Sequence, residues 1–159
     1  MKAIMKTAFV ALLLAVGSAT VVAAPAADPV IGNWQLNVAK SKFSPGPAPK
    51  SDTRTYASGD QGITMTWKSV GADGKEVVAK STFKTDGKNY PVTGAANFDG
   101  LTLKQVDDHT VQSTQTMGGK VIGTTTRTVS KDGKTLTLNS KGTSPAGVPY
   151  DNVLVYDKQ

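Results

Sequence analysis

Four short glycine-bearing turns constrain this chain more than anything else in it. "GADGKE" (Gly71 to Glu76), "TDGK" (Thr85 to Lys88), "MGGK" (Met117 to Lys120) and "KDGK" (Lys131 to Lys134) put Asp-Gly or Gly-Gly between runs rich in threonine and valine. Such pairs reach positive φ at little cost, which tight antiparallel hairpins require. The runs between them suit a pleated, half-buried surface, because a branched Cβ is stiff about χ1. Past Asp28 helical periodicity is almost missing. The punctuation predicts ten strands, over about 32–38, 51–57, 62–70, 76–84, 88–93, 98–106, 109–117, 120–129, 134–141 and 150–158.

Sequential strands joined by short turns pair with their neighbours, so the expected topology is an antiparallel up-and-down meander. Without a covering helix, such a sheet exposes two edges unless it curls and closes. The fold class expected is therefore all-β, a meander closing into a β-barrel of 8–10 strands. A two-sheet sandwich is the alternative and needs longer crossings. The Pro-rich piece at 44–50 and "TSPAGVP" (Thr143 to Pro149) have that length.

The N-terminus reads as a secretory signal peptide. Lys2 and Lys6 precede the apolar run "AFVALLLAVGSATVVA", and Val21 and Ala23 supply small residues for cleavage after Ala23. The run is short for a bilayer span, which needs about 20 residues. The expected organisation is a signal peptide at 1–23, a short linker at 24–30 and a barrel domain at 31–159. The expected location is periplasmic or extracellular, with no stable membrane anchor after the signal is removed. The absence of cysteine rules out disulfide staples and a lipid-modified cleavage site. Without Lys2 and Lys6, 16 basic residues face 12 acidic ones, a net charge of +4. Most lysines stand in turns, where they protect strand edges. No basic stripe interleaved with aromatics marks a nucleic-acid surface, so no nucleic acid is expected as a partner.

Alternation proposes which side chains fill the interior. Trp34, Leu36 and Val38 share a face opposite Asn33, Gln35 and Asn37; Ile63, Met65 and Trp67 share another, as do Leu136 and Leu138. In "VIGTTTRTV", Val121, Thr125, Arg127 and Val129 fall on one face and Ile122, Thr124, Thr126 and Thr128 on the other, so one wall is partly polar.

Gly32-Asn33-Trp34 at the head of the first strand resembles the Gly-x-Trp signature of lipocalins and of intracellular fatty-acid-binding proteins. The closing "LVYDKQ" resembles the last strand of the latter group, where a tyrosine lies near the chain end. The pattern from "GNWQLNVAKSKFSPGPAPKS" through "VSKDGKTLTLNSKGT" to "NVLVYDKQ" is similar to small secreted bacterial proteins of lipocalin-like type. The resemblance implies a calycin barrel whose lumen holds a small apolar or amphipathic molecule. In fatty-acid-binding proteins a buried late-strand arginine and an arginine–x–tyrosine in the last strand meet the ligand carboxylate. Arg127 matches the first and Tyr156 the tyrosine, while the second arginine falls on Leu154. The family's helical lid has no counterpart in the Pro-rich stretch, and the later motifs and disulfide of lipocalins are not evident.

The candidate ligand-binding residues are therefore Arg127, Tyr156, Trp67, Met65 and Tyr56, with Gly32 and Trp34 as structural closure. Arg127 has two other readings, outward among threonines or stacked over Trp34. Trp67 fills core or lines a pocket. His109, in "VDDHT", reads as a turn residue, since three adjacent side chains diverge and a metal needs convergent ligands. The Asp-Gly pairs lack the spaced acids of a calcium loop. No Gly-x-Ser-x-Gly elbow is present. No metal, cofactor or catalytic residue is expected, and oligomeric state is left open. Two functions stand: a non-enzymatic carrier of a small hydrophobic or amphipathic molecule, or an envelope-associated interaction protein using the barrel surface around Ala39 to Lys50.

Overall fold

A computed structural model of the chain describes residues 27–159, in which ten strands form one antiparallel sheet. They are β1 Gly32–Leu36, β2 Ser51–Gly59, β3 Gly62–Val70, β4 Glu76–Phe83, β5 Asp86–Pro91, β6 Gly100–Asp107, β7 Thr110–Met117, β8 Lys120–Val129, β9 Thr135–Thr143 and β10 Pro149–Lys158. Their order, β4-β3-β2-β1-β10-β9-β8-β7-β6-β5, is a meander wrapped until the first strand meets the last. Leu36 sits opposite Tyr156, and Trp34 opposite Lys158. That pairing excludes the sandwich. The expected signal peptide at 1–23 and the first part of the linker, 24–26, lie outside the described residues.

One seam remains, between β4 and β5. There the "TDGK" segment does not make the paired hairpin expected of it. Asp86 and Gly87 are already part of β5, which pairs with β6 across a register shift between Asp86 and Asn89. β4 and the chain just beyond β5 are joined by two backbone hydrogen bonds between Lys80 and Thr93, both 2.9 Å. The Ser81 hydroxyl donates to the Pro91 carbonyl at 2.9 Å. The barrel is nearly closed.

The other turns are as expected, with shared chemistry. In "ADGK" and "KDGK" the Asp73 and Asp132 carboxylates accept the backbone N–H two residues on, at 3.0 and 3.1 Å. The glycines between take φ of +85° and +69°. These are Asx-type turns, which acidic side chains stabilise by imitating the backbone. "TSPAGVP" is a hairpin loop between β9 and β10, not a crossing: Ser144 N–H donates to the Val148 carbonyl at 2.8 Å.

Three local departures change which side chains face inward. β1 stops at Leu36; Val38 opens a short 3-10 turn, Val38–Lys40, and is 44% exposed. The Asn37 side chain accepts from Lys40 N–H there and turns the chain. The chain then runs beside β10, with Lys42 and Val153 exchanging backbone bonds, before crossing to β2 through the prolines. Among the described residues, no α-helix covers this crossing. The second departure is a bulge in β8: Gln115 pairs with Gly123 but Thr116 with Val121, leaving Ile122 as the extra residue. A bulge reverses the alternation beyond it, so Val121 is 67% exposed and Ile122 faces the interior. Third, β6 begins at Gly100 and not 98, which leaves Phe98 in the preceding loop.

The core runs from the cavity wall, with Phe83, Leu103 and Val111, to a packed end where Trp34, Tyr156, Leu136, Val129 and Val30 are almost wholly buried. Val30, just before β1, is part of this packing and accepts a 2.7 Å hydrogen bond from the Trp34 indole. Lys158, not Arg127, lies over the Trp34 ring, at 5.1 Å from its centroid. Gly32 (φ +134°) lets the Lys158 side chain pass, since a Cβ there would stand 2.9 Å from Lys158 Cε. Leu136 faces Val129 and Tyr156 across its two ladders. Leu136→Ala should cost about 2–5 kcal/mol, as buried leucine truncations do. Urea unfolding followed by circular dichroism measures it, with an unchanged denaturant slope.

Candidate ligand-binding cavity

Beyond that packed end the interior holds a cavity of about 360 Å³. Its wall has two characters. Met65, Phe83, Leu101, Leu103, Val111, Leu138 and Leu154 make an apolar surface. Phe98 turns in from the β5–β6 loop and stacks on Trp67, with ring centroids 6.4 Å apart at 22°. β7, β8 and β9 also contribute a polar stripe. Gln115 Nε2 donates to Thr125 Oγ1 at 2.7 Å, Thr125 and Ser140 share a hydroxyl bond of 2.7 Å, and Ser113 Oγ donates to the Thr125 carbonyl at 3.2 Å. Register aligns the stripe, because Ser113 pairs with Thr125 and Thr125 with Ser140.

Two tight glycines shape the rim. Gly123 and Gly142 are cross-strand partners, and a Cβ on either would strike the Tyr150 hydroxyl. The Tyr150 ring therefore lies across a wall where no side chain can stand.

Arg127 points inward and is 6% exposed. Its guanidinium lies over the Tyr56 ring at 5.5 Å, and Nη2 is 3.4 Å from Asp28 Oδ2. Nη1 is buried with no hydrogen-bond partner among the described residues. Neither the outward position nor the stack on Trp34 occurs.

A second charged cluster sits at the junction of β2, β3 and β10. Asp52 Oδ1 accepts from the Tyr156 hydroxyl at 2.9 Å, and Oδ2 from the Trp67 indole at 2.7 Å. Arg54 Nε donates to the Tyr156 oxygen at 3.0 Å and lies 3.9 Å from Asp52. Its guanidinium is sandwiched by Trp67 and Tyr156, at 5.2 and 5.5 Å from their centroids. Burial works against its charge, but Tyr156, Tyr56 and Asp52 outweigh it and hold the proton more tightly than usual. Burial also pushes the Tyr156 phenol well above its ordinary range; Arg54 opposes this and Asp52 adds to it.

Four of the five candidate residues, Arg127, Trp67, Met65 and Tyr56, line the cavity. Tyr156 does not: it is fully buried, and Arg54, which does line the cavity, donates to its oxygen. Arg54, from β2, is the second arginine on the cavity wall. Arg54 and Asp52 are legible in hindsight, since they alternate with Tyr56 on one face of "SDTRTY". Asp28 has no local signal, because its partner is 99 residues away. His109 lies in the β6–β7 turn with its N–H donating to Asp107. No group of His, Cys, Asp or Glu among the described residues could hold a metal, and no helix among them is long and apolar enough to cross a membrane.

No family model and no curated protein matches the chain. Among solved structures it is similar to zebrafish ileal bile acid-binding protein, crystallised with cholic acid, at 13% identity and a TM-score of 0.49. The alignment covers 82% of this chain and 99% of that one. By its own strand order and first-to-last closure, the chain is an antiparallel up-and-down β-barrel with an interior cavity.

Tyr156→Phe should cost about 1–3 kcal/mol, because it leaves the Asp52 carboxylate short of a donor in a buried site. The raised phenol pKa adds a sign. The contribution of Tyr156 to stability is fully present below the unfolded tyrosine pKa of about 10 and is lost above it, as the unfolded chain releases a proton the folded one keeps. Denaturation midpoints measured from neutral to strongly alkaline pH should fall less steeply in Tyr156→Phe than in wild type.

Proposed function

We propose that this protein is a non-enzymatic carrier of a small molecule with an apolar body and a polar part, held inside the barrel. The observation that carries the reading is the cavity itself, about 360 Å³ with an aromatic and aliphatic wall and a polar stripe. Ligand sites are concave and mostly apolar, with a few placed polar groups, in a range from about 300 Å³ upward. The groups on this wall are guanidinium, hydroxyl, amide and aromatic, which bind and orient. Native mass spectrometry after mild extraction should show a bound mass, and a panel of fatty acids, retinoids and aromatic acids should raise Tm and alter Trp67 fluorescence. A clean unliganded mass together with no thermal shift across the panel overturns the carrier reading.

The proposal includes export. It is supported by the lysine-flanked apolar N-terminus and by the small residues before Ala24. Intact-mass measurement of the chain recovered from periplasm or medium should give a protein beginning at Ala24. Recovery of the uncleaved chain with the cytosolic fraction refutes this part.

A further inference from the structure

The charges facing the cavity are balanced before any ligand arrives. Among the described residues, Arg54 and Arg127 are the charged ones on its wall. Each has a carboxylate of this chain as counter-ion, Asp52 at 3.9 Å from Arg54 and Asp28 at 3.4 Å from Arg127. Asp52 is further held by the Trp67 and Tyr156 donors. Asp28 is held by Val30 N–H, which donates to its other oxygen at 2.9 Å. An entering carboxylate would therefore add an uncompensated negative charge to a low-dielectric interior, or displace a carboxylate already fixed there. Either is costly when the arginine gains no new charge partner.

Hydrogen-bonding capacity, by contrast, is left open. Arg127 Nη1 is a buried donor and Gln115 Oε1 a buried acceptor, both without partners among the described residues and both on residues lining the cavity. Buried polar groups are hydrogen-bonded as a rule, so a ligand seated here must offer these two groups a partner or leave them unsatisfied at a cost. The combination is a neutral interior with a spare donor and, farther along the polar stripe, a spare acceptor.

From this we propose that the cavity selects an electrically neutral amphiphile over an anionic one, its carbonyl or hydroxyl oxygen taking the Arg127 Nη1 hydrogen. A hydroxyl or amide N–H elsewhere on the same molecule suits Gln115 Oε1. Asp28 is the selectivity residue: by occupying Nη2 of Arg127 it turns a carboxylate receptor into a receptor for neutral oxygen. This rests on the carrier reading and specifies what that carrier takes.

The test is displacement of the neutral dye N-phenylnaphthylamine from the full exported chain at neutral pH, by decanamide and by decanoate. Decanamide should displace the dye at a concentration at least tenfold lower than decanoate. Asp28→Asn keeps an oxygen for the Val30 N–H and removes the competing charge. In that variant decanoate should gain at least tenfold, while decanamide changes little. Arg127→Gln should weaken decanamide, with folding checked by circular dichroism. Decanoate binding wild type as well as decanamide does, or Asp28→Asn leaving the ratio unchanged, overturns the selectivity and leaves the carrier standing. Failure of the dye and both displacers to bind overturns the carrier reading itself, and the selectivity with it.

Discussion

Much of the molecule hangs on one buried carboxylate. Asp52 takes hydrogen bonds from the indole of Trp67 on β3 and the phenol of Tyr156 on β10, with the Arg54 guanidinium of its own strand beside it. β10 reaches β2 through the short β1, only five residues long. The place where the meander becomes a barrel is thus reinforced from inside by a polar cluster that bridges the narrow strand. A polar group so placed is stable only because its neighbours were also taken out of water and aimed at it. That cluster forms the boundary between the packed end and the hollow end. On one side Trp34, Leu136, Val129 and Tyr156 fill the section; on the other the cavity opens.

The hollow end follows from what the strands put there. Small hydroxylic residues, Ser113, Thr125 and Ser140, take inward positions on three consecutive strands, where the packed end has leucine and valine. Farther on, the Gly123–Gly142 pair removes side chains altogether and lets Tyr150 cross. Small polar residues on facing strands bond to one another and leave the centre of the barrel unfilled. The same replacement that costs core volume supplies the polar face of a binding site, while Trp67, Phe98 and Phe83 keep another part of the wall apolar.

The ten strands and their order as a meander were legible from particular residues. Asp-Gly and Gly-Gly marked hairpins because only certain residues tolerate their φ, and alternation placed Trp34, Leu36, Met65, Trp67, Leu136 and Leu138 inward. The reading broke where a ladder is irregular. Val38 was lost to a turn built by the Asn37 side chain, Val121 and Ile122 exchanged faces across a bulge, and "TDGK" fell beside a seam. Period-two reasoning assumes an unbroken ladder and carries no warning when one residue is inserted. The site was half visible: Arg127, Trp67, Met65 and Tyr56 line the cavity, and the same alternation that placed Tyr56 placed Arg54 and Asp52.

By itself the sequence determined a cysteine-free, all-β chain of ten short strands in antiparallel succession, opened by Gly-x-Trp and crossed once by prolines. Those properties are local: a φ preference, a branched Cβ, a face two residues wide. The tertiary structure decided which charges meet. Asp28 finds Arg127 and Asp52 finds Tyr156 across 99 and 104 residues, so no window of sequence contains either pair. Closure also decided that Arg127 faces a lumen, with Lys158 in its place over Trp34, since inward and outward have meaning only once the sheet has curled on itself.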